Sequence, residues 1–112
     1  MKILLICLNE QPQLCDVPHQ LSVFQGLVGG HIETVEPFDD NVVIVCDESG
    51  RINGKPVNRV VNDHMDICGD FFLCGHDGYG LTDFPVRLLD KYRSLFEIEN
   101  SPNKPYPVEM CN

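Results

Sequence analysis

Residues 21–35 constrain the fold most strongly, because a short amphipathic helix there runs into two glycines and continues as an alternating strand. The helix is predicted over about residues 18–28, with an apolar face at helical spacing formed by Leu21, Phe24, Leu27 and Val28. Gly29 fits the position just past the helix, where a left-handed backbone is favoured. Gly30 would let the chain reverse into the next strand. We interpret Gly29 and Gly30 as a structural turn that needs no ligand.

The other strands are predicted from apolar runs separated by turn residues. They cover residues 2–8, 13–17, 31–36, 41–47 and 68–74, with a further extended stretch at 56–61. Residues 9–12 form a turn, so the first two strands should pair as a hairpin. Asn53-Gly54 is typical of a two-residue hairpin turn.

A second helix is predicted to be capped by Thr82 or Asp83 and to end near Phe96. We therefore predict an α+β fold, with a mostly antiparallel sheet of about four to six strands. One helix follows the second strand, the other lies near the C-terminus, and both should cover one face of the sheet.

With 112 residues, the chain is long enough for one domain, which is predicted over residues 1–96. Residues 97–112 contain three prolines and little periodicity, and they are predicted to form a C-terminal arm. The opening apolar run has no export-signal cleavage site after it, which predicts a cytoplasmic protein. In that compartment the six cysteines are expected to be thiols.

The charge restricts the classes of partner. The 17 acidic and 8 basic residues give a net charge of −9, and an acidic surface repels phosphate backbones. We therefore predict no direct nucleic-acid binding, whereas a basic protein partner or mimicry of DNA stays compatible with the charge. No run of about 20 apolar residues is present, so no membrane association is predicted.

The best candidate for a metal cluster consists of His64, Cys68, Cys74 and His76. Cys68 and Cys74 lie at opposite ends of a predicted strand, about 20 Å apart. Zinc ligands must all lie within about 2.3 Å of the ion. The sequence therefore predicts no metal site, and no cofactor is predicted either.

Cys74 and His76 share one face of that strand and could form a thiol–imidazole nucleophile pair. Any alternating strand offers the same spacing, and no serine nucleophile elbow, HExxH motif or paired-carboxylate motif occurs in the chain. We therefore predict no catalytic residue and a protein that is not an enzyme. A small Cys/His enzyme is the least favoured of the hypotheses.

Four residues are candidates for ligand or partner binding: Asn58, Arg59, His76 and Tyr79. The Arg59 guanidinium beside an amide could grip a carboxylate or a phosphate. The glycine-rich residues 75–80 should lie between a strand and a helix N-terminus, a layout that can cradle phosphates. Asp77 and Asp83 place negative charge there, so a plain turn with an adaptable rim is the better interpretation.

Five stretches, in the order in which they occur, resemble the sequence of the small domain of unknown function numbered 3846. They are VGGHIE at 28–33, VVIVCDESG at 42–50, PVNR at 56–59, ICGDFFLCG at 67–75 and GLTD at 80–83. The resemblance covers residues 2–96, and His31 stands where the family more usually has an aromatic residue. The family has no established activity, so the resemblance implies no catalytic residues. It implies a small cytoplasmic accessory protein of a phage, plasmid or other mobile element.

These observations together predict a non-enzymatic binding protein. An anti-defence role is one of the roles that the family resemblance implies. It would recognise a host protein or a small anionic or nucleotide ligand through Asn58, Arg59 and residues 75–80. Whether it forms a homodimer stays open. The alternative hypothesis is an acidic decoy that mimics DNA and inhibits a DNA-binding enzyme.

Overall fold

The fold is built on a six-stranded antiparallel sheet, seen in a computed structural model that describes residues 1–98. In chain order the elements are β1 (Lys2–Ile6), β2 (Gln13–Asp16), α1 (Leu21–Val28), β3 (Ile32–Val35), β4 (Val42–Asp47), β5 (Val57–Val61), β6 (Met65–Cys68), β7 (Phe71–His76), β8 (Leu81–Thr82), a 3₁₀ turn (Val86–Leu88) and α2 (Leu89–Leu95). The sheet has the order β2-β1-β7-β4-β3, with β8 added to β7, while β5 and β6 form a separate hairpin. The predicted α+β class and the places of both helices are confirmed.

The predicted hairpin of the first two strands is also confirmed. β1 and β2 pair antiparallel, with Lys2 opposite Asp16 and Leu5 opposite Gln13. The helix prediction is confirmed in its main part, and Gly29 has the expected left-handed backbone, with φ +78°. Its amide donates to the Gln25 carbonyl over 2.8 Å, which closes the helix.

The helices lie on opposite faces of the sheet, so the prediction that both cover one face is wrong. On one face, Phe24 and Val28 of α1 pack against Val43 and Phe72. On the other, α2 and the β5–β6 hairpin pack in a second apolar cluster. The physical reason is that every residue of β4, and all but the last of β7, is buried. Such strands need cover on both faces.

The predicted strand at residues 68–74 is confirmed only from Phe71 onward, as part of β7, because the chain breaks before it and Cys68 ends β6. Gly69 has φ +80°, a conformation that ends the strand. The carboxylate of Asp70 then accepts a hydrogen bond from the Leu8 amide over 2.8 Å. The hairpin expected at Asn53-Gly54 is wrong too, since the flanking strands β4 and β5 belong to different sheets.

The C-terminal helix begins later than predicted. Thr82 belongs to β8, and the Asp83 carboxylate accepts a hydrogen bond from the Lys2 amide over 2.9 Å instead of capping a helix. Pro85 explains the delay, because a proline disfavours helical backbone at the residue before it. Helical structure therefore starts only at Val86.

The predicted C-terminal arm lies outside the described residues from position 99 onward. Ile98 is described, and its amide donates to the Gln11 side chain over 2.9 Å. Within residues 1–98, no helix is long and apolar enough to cross a membrane. The five cysteines of this part are free thiols.

A buried tyrosine gives the first testable prediction. Tyr92 is 0% exposed, and its hydroxyl donates to Asp40 over 2.7 Å. We expect Tyr92→Phe to lower the free energy of unfolding by about 1–2 kcal/mol, because the core loses a hydrogen bond to a charged group. Urea unfolding followed by circular dichroism measures the change. Tyr79→Phe is the matched control, since Tyr79 is 99% exposed, and an equal loss in both variants would contradict the assignment.

Candidate functional site

The side-chain amide of Asn58 connects the end of β1 to the β6–β7 connection. Nδ2 donates to the carbonyl of Ile6 over 2.8 Å and to the carbonyl of Gly69 over 3.0 Å. The residue lies at an irregularity in the β5–β6 pairing, which turns its side chain toward the sheet. These contacts give Asn58 a structural role, and ligand binding by Asn58 stays a prediction.

Arg59 joins its own strand to two distant parts of the chain. Its Nε donates to the Phe96 carbonyl over 2.9 Å, and its Nη2 donates to the Glu10 carbonyl over 2.6 Å. Its Nη1 donates to the Asn58 side chain over 2.6 Å. The guanidinium therefore connects the end of α2, the β1–β2 turn and β5. Anion binding by Arg59 stays a prediction, and it would have to compete with these contacts.

His76 and Tyr79 lie around the β7–β8 turn. His76 is the last residue of β7, and its Nε2 lies 3.3 Å from Oε1 of Glu36. The Asp77 carboxylate accepts hydrogen bonds from the amides of Tyr79 and Gly80, over 2.9 and 3.0 Å, and so orders the turn. The turn joins two strands, so the predicted position before a helix N-terminus is wrong.

The structure does not bring the four candidate binding residues together. Asn58 contacts Ile6, which pairs with Phe71 at the start of β7. His76 is at the other end of that strand, about 17 Å away at 3.3 Å per residue. The pair Asn58 and Arg59 and the pair His76 and Tyr79 therefore cannot contact one small ligand together.

The Cys74 thiol is poorly placed for nucleophilic chemistry. It is buried, and this burial raises its pKa to about 12. A nucleophilic cysteine needs the opposite shift, because the thiolate is the reactive form. Within residues 1–98, no group of three or more His, Cys, Asp or Glu side chains is arranged to hold a metal ion.

An ion pair beneath the double glycine is the most buried charged feature of the described residues. The Asp47 side chain is 2% exposed, and its Oδ2 lies 2.7 Å from the Lys55 ammonium. The same ammonium donates to the carbonyls of Val28 and Gly29, over 2.9 and 3.3 Å. Lys55 therefore binds the orphan carbonyls at the end of α1 and neutralises a buried carboxylate.

The glycines are required by this ion pair. A Cβ atom at Gly30 would lie 2.5 Å from Oδ1 of Asp47, and one at Gly29 would lie 2.9 Å from the Lys55 ammonium. A Cβ at Gly69 would lie 2.8 Å from Cδ of Lys55. The expected turn role of Gly29 is thus only part of the reason for the double glycine. The other part is the close approach of an ion pair from distant residues.

Asp47 remains charged because its neighbours stabilise the carboxylate. The Lys55 ammonium lies 2.7 Å from Oδ2, and the Ser49 amide donates to Oδ1 over 3.0 Å. These interactions, that with Lys55 first, hold the pKa of Asp47 below its ordinary value of 3.8, although burial opposes the shift. At neutral pH the buried Asp47 carboxylate is therefore ionised.

A cleft of about 420 Å³ opens between the β3–β4 side of the main sheet and strand β6. It is lined by Glu33, Val35, Cys46, Asp47, Glu48, Arg51, His64, Met65, Asp66, Ile67 and Cys68. The thiols of Cys46 and Cys68 are buried in the cleft, and burial raises the pKa of Cys46 to about 11. Its apolar floor and charged rim are the composition of a binding site.

The rim of this cleft is acidic. Glu33 and Glu48 are exposed, and Asp66 lies 3.5 Å from the Arg51 guanidinium. The carboxylates therefore outnumber the cations among the exposed lining residues, and Asp47 is already neutralised by Lys55. Sequence reasoning missed the cleft because β6 reaches the main sheet only through tertiary packing.

Comparison with known proteins identifies a family but no activity. A family model described as "Domain of unknown function (DUF3846)" matches residues 1–97. This span contains every strand and helix described above, and it confirms the resemblance found in the sequence motifs. No curated protein and no solved structure matches the chain.

Two helix-region glycines test the role of the ion pair. We expect Gly30→Ala to lower the free energy of unfolding by about 2 kcal/mol, because the new methyl group would displace the buried Asp47 carboxylate. Gly26→Ala is the matched control, since no heavy atom lies within 4 Å of its added Cβ. Alanine favours the helix there, so this variant should be neutral or more stable. Chemical denaturation measures both, and equal effects would contradict the steric argument.

The charge state of Asp47 gives a pH prediction. Because its pKa is lowered in the folded state, its contribution to stability is complete above pH 3.8 and is lost as the pH falls through the folded pKa. We expect Lys55→Met to raise the pH at which Asp47 titrates. NMR of the Asp47 carboxyl carbon during an acid titration measures this pH.

Lys2→Met is the control for that titration, because Lys2 pairs with the exposed Asp16 instead. It should leave the Asp47 titration unchanged. An unchanged titration in the Lys55→Met variant would show that the ammonium does not set the charge of Asp47.

Proposed function

We propose that this chain, which belongs to the DUF3846 family of domains of unknown function, is a non-enzymatic binding protein that holds a basic segment of a partner protein. The observation that supports this most is the cleft between β3 and β6, with its apolar floor and acidic rim. Lysine and arginine side chains suit such a site, because their aliphatic stems pack on apolar surface while their charges reach the carboxylates.

The charges favour a basic protein partner over a small anionic ligand. Glu33, Glu48 and Asp66 would repel a phosphate or a nucleotide in the cleft. The other site for an anion would be Arg59, whose guanidinium donates to carbonyls of Phe96 and Glu10. An anion there would have to replace hydrogen bonds that join parts of the fold.

The contacts of the surface acids argue against the acidic decoy. Asp16 and Asp40 are each 2.9 Å or less from a lysine ammonium, at Lys2 and Lys91 respectively. Such pairs interrupt the row of free carboxylates that a DNA mimic would need. The raised pKa of Cys74 likewise argues against the Cys/His enzyme.

The biological setting forms part of the proposal. The family resemblance suggests an accessory protein of a phage or another mobile element, acting in the cytoplasm. A host defence protein with an accessible basic segment would then be the natural partner. Inhibition would follow from blocking that segment, with no chemistry required of the small protein.

A charge reversal in the cleft tests the proposal. A host lysate is passed over the immobilised protein, captured proteins are identified by mass spectrometry, and the affinity of a purified candidate is measured by calorimetry. We expect Glu33→Lys to weaken its binding at least about tenfold, because like charges then meet across the interface. The wild-type affinity should also fall as salt rises.

Asp90→Lys is the matched control, because it makes the same change of charge on α2, outside the cleft lining. This variant should bind the partner as the wild type does. Equal losses in both variants would indicate a general effect of net charge, as expected for an acidic decoy. No loss in either variant would place the binding site elsewhere.

A further inference from the structure

Strand β3 is an edge strand with unused hydrogen-bonding groups. It pairs with β4 on one side, and no strand of the described part of the chain pairs with its other side. The Glu48 amide donates to the His31 carbonyl over 2.9 Å, so His31 and every second residue after it face β4. The amides and carbonyls of Ile32 and Thr34 therefore point away from the sheet. Within residues 1–98 no hydrogen bond is made to them.

The other edge of the sheet is protected. In β2 the outward-facing backbone belongs to Leu14 and Asp16, because the Val17 amide donates to the Met1 carbonyl over 2.9 Å. Prolines precede and follow this strand at positions 12 and 18. Proline and charge on an edge strand are devices that prevent pairing with another chain. β3 is also followed by a proline, Pro37, but no proline stands directly before it as Pro12 does before β2, so β3 is the open edge.

The open edge leads into the cleft. Glu33 and Val35 of β3 line the cleft, and both lie on the face of the sheet that the β5–β6 hairpin covers. A strand added beside β3 would lie about 4.8 Å from it. Every second side chain of that strand would continue the row of Glu33 and Val35 and enter the space in front of β6.

We propose that the partner's basic segment binds by strand addition: it extends the main sheet at β3, pairs with the backbone of Ile32 and Thr34, and directs alternate lysine or arginine side chains into the cleft. This inference rests on the proposed function and adds the mode of recognition. Main-chain hydrogen bonds supply affinity in such complexes, while alternate side chains supply specificity.

Charge favours a basic segment over a second copy of this chain. In the symmetric antiparallel pairing that joins Ile32 of one copy to Thr34 of the other, the two Glu33 side chains lie directly opposite each other. Like charges in that position destabilise a strand pair. Each chain also carries a net charge of −9, so the two copies repel each other.

A peptide of nine residues that alternates lysine and valine tests the proposal on the full chain. On binding, amide hydrogen exchange at Ile32 and Thr34 should slow at least about tenfold, because these amides gain partners. The Glu33 amide is the internal reference, since it already faces β4. A peptide that alternates glutamate and valine should not bind.

Two modified peptides isolate the backbone contacts. One isomer carries N-methyl groups on the lysine amides and the other carries them on the valine amides. In an extended strand these two sets of amides point to opposite edges. One isomer should therefore lose at least about tenfold in affinity, while the other binds like the parent peptide.

A variant pair tests the same contacts from the protein side. Thr34→Pro removes one outward donor, and edge strands accept proline where the amide faces solvent. It should weaken peptide binding at least about tenfold. Thr34→Val keeps the amide and should bind normally. If Thr34→Pro fails to fold, the N-methylated isomers still decide the question.

The outcomes separate this inference from the proposed function. Binding with unchanged exchange at Ile32 and Thr34, and equal affinity for both N-methylated isomers, would overturn strand addition and leave the cleft proposal standing. Failure of the lysine peptide to bind would also overturn strand addition. The binding experiment with Glu33→Lys would then test independently whether the cleft binds a partner. Protection of Ile32 and Thr34 that grows with protein concentration alone would identify a second copy as the occupant.

Discussion

The ion pair of Asp47 and Lys55 is the interaction on which the rest of the structure depends. A carboxylate buried to this degree is tolerated only if a cation and further donors surround it. Lys55 provides that cation and also binds the carbonyls that end α1. One ammonium group thus connects the helix on one face of the sheet, strand β4 and the segment that leads to the β5–β6 hairpin. The double glycine follows from this arrangement, because a side chain at either position would occupy the space of the pair.

Asn58 and Arg59 act on the same principle, with side-chain donors that bind backbone carbonyls of distant segments. Together with Lys55 they attach the β5–β6 hairpin to the main sheet and so fix the position of β6 opposite β3. The motif residues that suggest chemistry therefore build the architecture. The surface best suited to binding is formed instead by residues outside the four candidate binding positions, such as Glu33 and Met65.

Local patterns predict local structure well in this chain, and they fail where distant residues decide. The β1–β2 hairpin and the end of α1 at Gly29 depend on neighbouring residues, and both are confirmed. The break at Gly69 and Asp70 lies between two apolar stretches, Ile67-Cys68 and residues 71–74, which together have the pattern of one strand. The reason for Gly30 involves Asp47, seventeen positions away, and the cleft involves a tertiary contact. Neither leaves a periodic signal in the sequence.

The attachment of the hairpin has a consequence for how this fold can diversify. The bonds that attach it run from side chains to main-chain carbonyls, and every residue offers a carbonyl whatever its side chain. The side chains of Glu33, Glu48 and Asp66 take no part in these bonds. Asp66 forms a surface ion pair with Arg51, and such a pair contributes little to stability. Substitutions at these rim positions should therefore leave the scaffold intact, and under the proposed function they would change which basic segment is bound. The fold separates the residues that maintain its shape from surface residues that its stability leaves free to vary.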